Sequence, residues 1–122
     1  TIHATKTEPM SDQQLEAIRR LLRCVPSGRV TSYGRLAARA GIPRGARVAV
    51  AALRQTPDDQ PLPWHRVLRA DGRIAFATDH PHYAEQLRRL RDEGVVVSGG
   101  RVDLSRFGWA EDSPELLLPA DD

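Results

Sequence analysis

Glycine and proline interrupt this chain so often that no regular element can run far beyond a dozen residues. Pro26-Ser27-Gly28, Gly41-Ile42-Pro43, the polar stretch from Gln55 to Pro63, Ala70-Asp71-Gly72, Gly94 and Ser98-Gly99-Gly100 each mark a turn or a stop. Between them the apolar residues recur mostly at helical spacing. Leu15, Ile18, Leu22 and Val25 follow Ser11, which makes a capping-box pattern with Gln14. An amphipathic helix is therefore predicted over residues 12–24. Cys24 falls in its last turn and reads as a small buried hydrophobe. Thr31 or Ser32 can cap a short helix to about residue 40, with Leu36, Ala37 and Ala40 inward. A second helix over residues 44–54 turns Val48, Ala49, Ala52 and Leu53 inward and leaves Arg44, Arg47 and Arg54 to solvent or a partner. Two short helices joined by a glycine-containing turn form a helix-turn-helix pattern.

Further along, residues 67–69 and 72–75 read as short extended pieces around a turn. Asp79 is placed to cap a helix with Pro81 in its first turn, with Tyr83, Leu87 and Leu90 along one side and Gly94 as its stop. Residues 95–97 and 101–104 form a hairpin or wing, and Phe107 and Trp109 pack back on the core. The fold class is mainly α: one small winged-helix-like domain with a helix-turn-helix and a short β-hairpin. Residues 1–10 are a flexible lead-in, 11–109 the domain, and 110–122 an acidic, fraying tail.

At 122 residues the chain suits one domain with a modest core. No apolar run approaches a membrane span, and no signal peptide is visible. A single cysteine excludes an internal disulfide and fits a reducing, cytoplasmic setting. The four histidines and Cys24 show no metal-ligand spacing, so neither metal nor cofactor is expected. Net charge is only +2, yet no acidic residue lies between Glu16 and Asp58, a stretch holding nine arginines. These are Arg19, Arg20, Arg23, Arg29, Arg35, Arg39, Arg44, Arg47 and Arg54. Such a field marks a polyanion binder; the plainer reading is a solvated face in an arginine-rich chain.

Pro63-Trp64-His65-Arg66-Val67 places a bulky indole and two ionisable groups on a loop with short structured flanks. The run resembles Pro-Cys-His-Arg-Val, the active-site motif of the O6-alkylguanine-DNA alkyltransferases, with Trp64 where the family has its alkyl-accepting cysteine. Three more stretches resemble that family in the same order. They are Val25-Pro26-Ser27-Gly28-Arg29-Val30-Thr31-Ser32-Tyr33-Gly34, the recognition-helix run from Pro43 to Val50 with Ala46-Arg47-Val48-Ala49-Val50, and Leu90-Arg91-Asp92-Glu93-Gly94. The resemblance covers residues 11–109, and chains of this size with Trp for Cys are similar to the alkyltransferase-like subgroup.

That resemblance implies a non-enzymatic sensor. It would bind O6-alkylguanine in double-stranded DNA, flip the nucleotide and channel it, as a monomer, to nucleotide-excision repair damage-recognition proteins. Arg47 would be the arginine finger and Tyr33 would press on the phosphate beside the flipped base. Arg44 and the backbone of Thr31, Ser32 and Gly34 would hold phosphates. Trp64, Tyr33, Val67 and His65 would line the lesion pocket, with the Val67 amide offered to the base. His65, Arg66 and Glu93 would brace the loop. Two departures stand out: Gln55-Thr56-Pro57 replaces an Asn-Pro turn, and Ala75-Phe76-Ala77-Thr78 lacks a basic residue near the pocket. The competing readings are a helix-turn-helix transcription regulator and a residual dealkylating enzyme, the latter using His65-activated water or Cys24.

Overall fold

The computed structural model describes residues 11–56 and 61–109; the expected lead-in and acidic tail lie outside these. Helix α1, Asp12–Leu22, begins at the expected box: the Gln14 amide donates to Ser11 Oγ at 3.1 Å and the Ser11 amide to Gln14 Oε1 at 3.2 Å. A cap of this kind stabilises a helix by about 1 kcal/mol. Leu15, Ile18 and Leu22 are buried along one face. The helix stops at Leu22 and its last turn tightens, with the Cys24 and Val25 amides bonded to Leu21 and Leu22. That tightening corrects the expectation for Cys24: Val25 turns inward and Cys24 is exposed.

Strand β1 is only Thr31–Ser32, and Ser32 also caps α2, Tyr33–Arg39, by accepting from the Arg35 amide. Helix α3, Ala46–Arg54, starts two residues later than predicted. The reason lies in the turn, where Arg44 has φ 59° and Gly45 stands at the N-cap. A side chain on Gly45 would put its Cβ 2.5 Å from the Ile42 side chain. Glycine is therefore required at 45 by space, while the left-handed position falls on an arginine. Arg19 ties the first helix to the third, its Nε 3.2 Å from both the Ala52 carbonyl and Thr56 Oγ1. Arg19 and Arg23 also lie 3.6 and 3.7 Å from Glu16, so these two do not belong to an uncompensated arginine face.

After α3 come a 3-10 turn at Trp64–Arg66 and strand β2, Val67–Leu68, which pairs in parallel with β1 (Thr31 with Val67, Ser32 with Leu68). This pairing was not anticipated from the sequence. It joins the two halves of the core. One half packs α1, α2 and α3 with Leu62, Val67 and Trp109; the other packs Val30, Leu68, Ile74, Leu90, Val95, Val97 and Val102. Trp109 and Phe107 pack on these two clusters, and the Trp109 amide donates to Val30.

Helix α4, Pro81–Asp92, is capped by His80 and not by Asp79, because the cap must directly precede Pro81 at the first helical position. His80 Nδ1 accepts from the His82 amide at 3.0 Å. Gly94, at φ 86°, ends the helix as expected. The wing is the antiparallel pair β3, Val97–Ser98, and β4, Arg101–Val102, turned by Gly99 and Gly100, both at positive φ. Leu104 leaves the predicted strand and opens a one-turn helix α5, Leu104–Phe107, capped by Asp103. Among the described residues no helix is long and apolar enough to cross a membrane.

Left-handed backbone costs a side-chain-bearing residue about 1 kcal/mol, which glycine avoids. Arg44→Gly is expected to raise unfolding stability by about 0.5–1 kcal/mol, read from denaturant melts. A loss of stability would mean that the Arg44 side chain holds the turn.

Candidate nucleic-acid interface

Glu93, at the C-cap of α4, collects two other segments. Its carboxylate accepts from Arg66 (Nη2 at 2.7 Å, Nε at 3.1 Å), from the Gly28 amide at 2.9 Å, and meets His65 Nε2 at 2.7 Å. Arg66 Nη1 reaches on to the Val25 carbonyl at 2.8 Å. The turn after α1, the motif loop and the end of α4 are thus held at one point. Gly28 reaches it through a positive φ of 88°.

Burial by itself would raise the Glu93 pKa. The Arg66 guanidinium, the Gly28 amide and His65 outweigh it and hold that pKa at about 2. For His65, burial lowers the pKa and prevails over the attraction of Glu93. The imidazole is therefore neutral at physiological pH, with its proton on Nε2 toward Glu93. Nδ1 is left as a buried acceptor without a partner among the described residues.

Trp64 stands on this base. Its ring meets Phe76 at 5.9 Å and 82°, His82 at 5.3 Å and 50°, and His65 at 6.5 Å and 89°. The Arg89 guanidinium lies 5.6 Å from its centroid and is itself paired with Glu85 at 2.8 Å. Gln86 supports the same loop from below. Only 1% exposed, it donates Nε2 to the His65 carbonyl at 2.9 Å and the Val67 carbonyl at 3.0 Å. His82, Gln86, Arg89 and Glu93 recur at intervals of four, three and four residues, so one stripe of α4 carries the whole motif loop. Sequence reasoning found only Glu93 of these four. The signal was present as a polar stripe at helical spacing, but the apolar stripe drew the reading.

The other expected site residues divide by exposure. Arg47 and Arg44 are exposed, and Arg47 forms no ion pair among the described residues. Tyr33 opens α2 half-buried against the first core cluster. Burial raises its pKa, with Arg54 opposing, so the phenol stays protonated. Gly34 faces open space. Thr31 and Ser32 are buried strand residues, at 0% and 2% exposure. Val67 is also 0% exposed and its amide already donates to the Trp64 carbonyl, so it has none to offer a base in this conformation. Among the described residues the rings touching Trp64 are those of Phe76, His82 and His65, and Tyr33 packs elsewhere. A depression of about 500 Å³ lies between the Ala70–Asp71 turn, the wing and α5, and no motif residue lines it. No group of three or more His, Cys, Asp or Glu side chains placed to hold a metal occurs among the described residues.

Residues 13–95 match the family described as 6-O-methylguanine DNA methyltransferase, DNA binding domain. The chain belongs to this family. It is 41% identical over 90 residues to a DNA base-flipping protein of Escherichia coli, an overlap of 73% of this chain and 68% of that one. It is 46% identical over 55 residues to a methylated-DNA–protein-cysteine methyltransferase of Rattus norvegicus, covering 45% of this chain and 26% of that protein. Its structure is similar to that of Schizosaccharomyces pombe Atl1 in complex with damaged DNA containing O6-carboxymethylguanine. The TM-score is 0.73 at 26% identity, covering 81% of this chain and 96% of that one. The relatives of this chain thus include proteins named as methyltransferases and proteins named as base-flipping proteins.

The Glu93 clamp of this family member predicts its acid sensitivity. Between pH 4.5 and about 2 the unfolded chain protonates Glu93 while the folded chain keeps it ionised. That contribution is complete above pH 4.5 and is lost as pH falls toward about 2. A shift of this size corresponds to about 3 kcal/mol. His65 acts in the same direction, beginning below its ordinary value of 6.5. Denaturant melts from pH 7 to 2 are expected to show both losses, with the lower one absent in Glu93→Gln; a Glu93→Gln profile parallel to wild type would contradict the assignment.

Proposed function

We propose that the protein is a non-enzymatic sensor of O6-alkylguanine in duplex DNA. It flips the damaged nucleotide with Arg47 as the finger and passes the lesion to nucleotide-excision repair damage-recognition proteins. The observation that carries this reading is Trp64 at the position where the resembling enzymes place cysteine, on a loop still braced by His65, Arg66 and Glu93. An indole offers no thiolate to displace an alkyl group at neutral pH. The chain's lone thiol, Cys24, is exposed just beyond α1, bonded to the Arg20 carbonyl, and belongs to neither the motif loop nor α4.

The DNA-handling parts support the same reading. Arg47 projects from the second helix of the helix-turn-helix, with Tyr33 at the start of the first. Flipping costs a few kcal/mol of unstacking, which an inserted guanidinium can offset by stacking and hydrogen bonding. The relatives point in this direction too: one is a base-flipping protein, and another was solved on damaged DNA. Phosphate contact falls to Arg44, Gly34 and the exposed arginines of the helix pair, with Thr31 and Ser32 buried.

Affinity for a short duplex with one O6-methylguanine, compared with the undamaged duplex, tests the proposal. Lesion-selective binding is expected. Arg47→Ala should weaken lesion binding by about tenfold or more, since stacking on a base contributes about 1–3 kcal/mol. Equal affinity for the two duplexes would favour a sequence-reading regulator, and unchanged affinity in Arg47→Ala would remove the finger.

A further inference from the structure

Trp64 and Phe76 stand nearly perpendicular, 5.9 Å apart, and both are half-buried. Together they make a corner with one ring face and one ring edge. His82 extends it, at 5.3 Å from Trp64 and 5.1 Å from Phe76. His80 backs Phe76 at 4.9 Å and 34°, and both histidines are exposed. Val96 is the exposed large hydrophobic among the described residues and lies elsewhere, on the depression beside the wing. A cluster of four rings left at the surface has aromatic faces and edges still open to a partner, at the 4.5–7 Å spacing that ring pairs prefer.

Charge at this corner is compensated. Arg89 covers part of the Trp64 ring but is paired with Glu85. Among the described residues the corner therefore presents rings and an arginine that is already paired, which suits a neutral flat group better than a carboxylate.

We propose that Phe76 and His82, with Trp64, select O6 substituents that carry a flat aromatic ring, and that they select for flatness rather than size. The proposal rests on the sensor reading above and deepens it. Neither Phe76 nor His82 belongs to the four motifs that carry the family resemblance. A benzyl ring seated in the corner can stack on one wall and meet the other edge-on. A saturated ring of the same size has no π face, and its puckered hydrogens fit both walls less closely. Aromatic pairing contributes about 0.5–1.5 kcal/mol beyond area burial, which converts to roughly two- to tenfold in affinity.

The test uses the full chain and four duplexes, identical except for guanine, O6-methylguanine, O6-benzylguanine or O6-cyclohexylmethylguanine at one position. Wild type should bind the benzyl lesion about three- to tenfold more tightly than the cyclohexylmethyl lesion. Phe76→Leu keeps apolar volume in the second core, and His82→Ala changes an exposed residue; in each, the ratio measured within that variant should move toward one. Equal binding of the benzyl and cyclohexylmethyl lesions, both preferred over guanine, overturns the flatness proposal and leaves the sensor standing. A ratio retained in both variants overturns the assignment to Phe76 and His82. Indifference to all four duplexes overturns the sensor reading as well.

Discussion

The ion pair between Arg66 and Glu93 is the joint on which the rest of this molecule depends. Three segments far apart in the chain meet there: the turn after the first helix, the motif loop and the end of α4. Both side chains are largely withdrawn from water, at 17% and 14% exposure. Breaking one partner of such a pair leaves the other charge buried, at a cost of about 3–5 kcal/mol. The carboxylate is satisfied on every side, by a guanidinium, an amide and an imidazole, which is what makes a buried charge tolerable. Position 64 inherits its rigidity from this arrangement.

His65, Arg66 and Glu93 together fix the geometry of the motif loop. A neutral His65 held by Glu93 has no thiol beside it, yet its ring and backbone still define the loop. Gln86 completes the support, since both its partners are carbonyl oxygens and only its amide nitrogen can face them. Trp64 stands at the head of this support, its ring against those of Phe76, His82 and His65. The arginine-rich helix pair packs in the first half of the core and Phe76, which meets Trp64, in the second; the short parallel pairing of Thr31–Ser32 with Val67–Leu68 joins the two.

Local signals made much of this legible. The Ser11–Gln14 box, the apolar spacing of α1 to α3, Gly94 as a stop and the glycine turn of the wing each act within a few residues, and each is found in the fold. The α4 cap falls on His80 and not Asp79 because Pro81 holds the first helical position. Other features had no local mark. Two-residue strands carry no periodicity, so the β1–β2 pairing is set by the tertiary fold. Gln86 lies on the polar stripe of α4, which does not tell a buried glutamine from a solvated one until its carbonyl partners are known. The burial of Thr31, Ser32 and Val67 comes from that same strand pairing.

The central claim is that position 64 holds a lesion it cannot discharge. Incubating the protein in excess with a duplex carrying one O6-methylguanine, then measuring the intact mass of the protein and the modified base in the recovered DNA, tests it most directly. The account predicts unchanged protein mass and full recovery of O6-methylguanine after prolonged contact. A methylated protein, or guanine in place of the lesion, would contradict it.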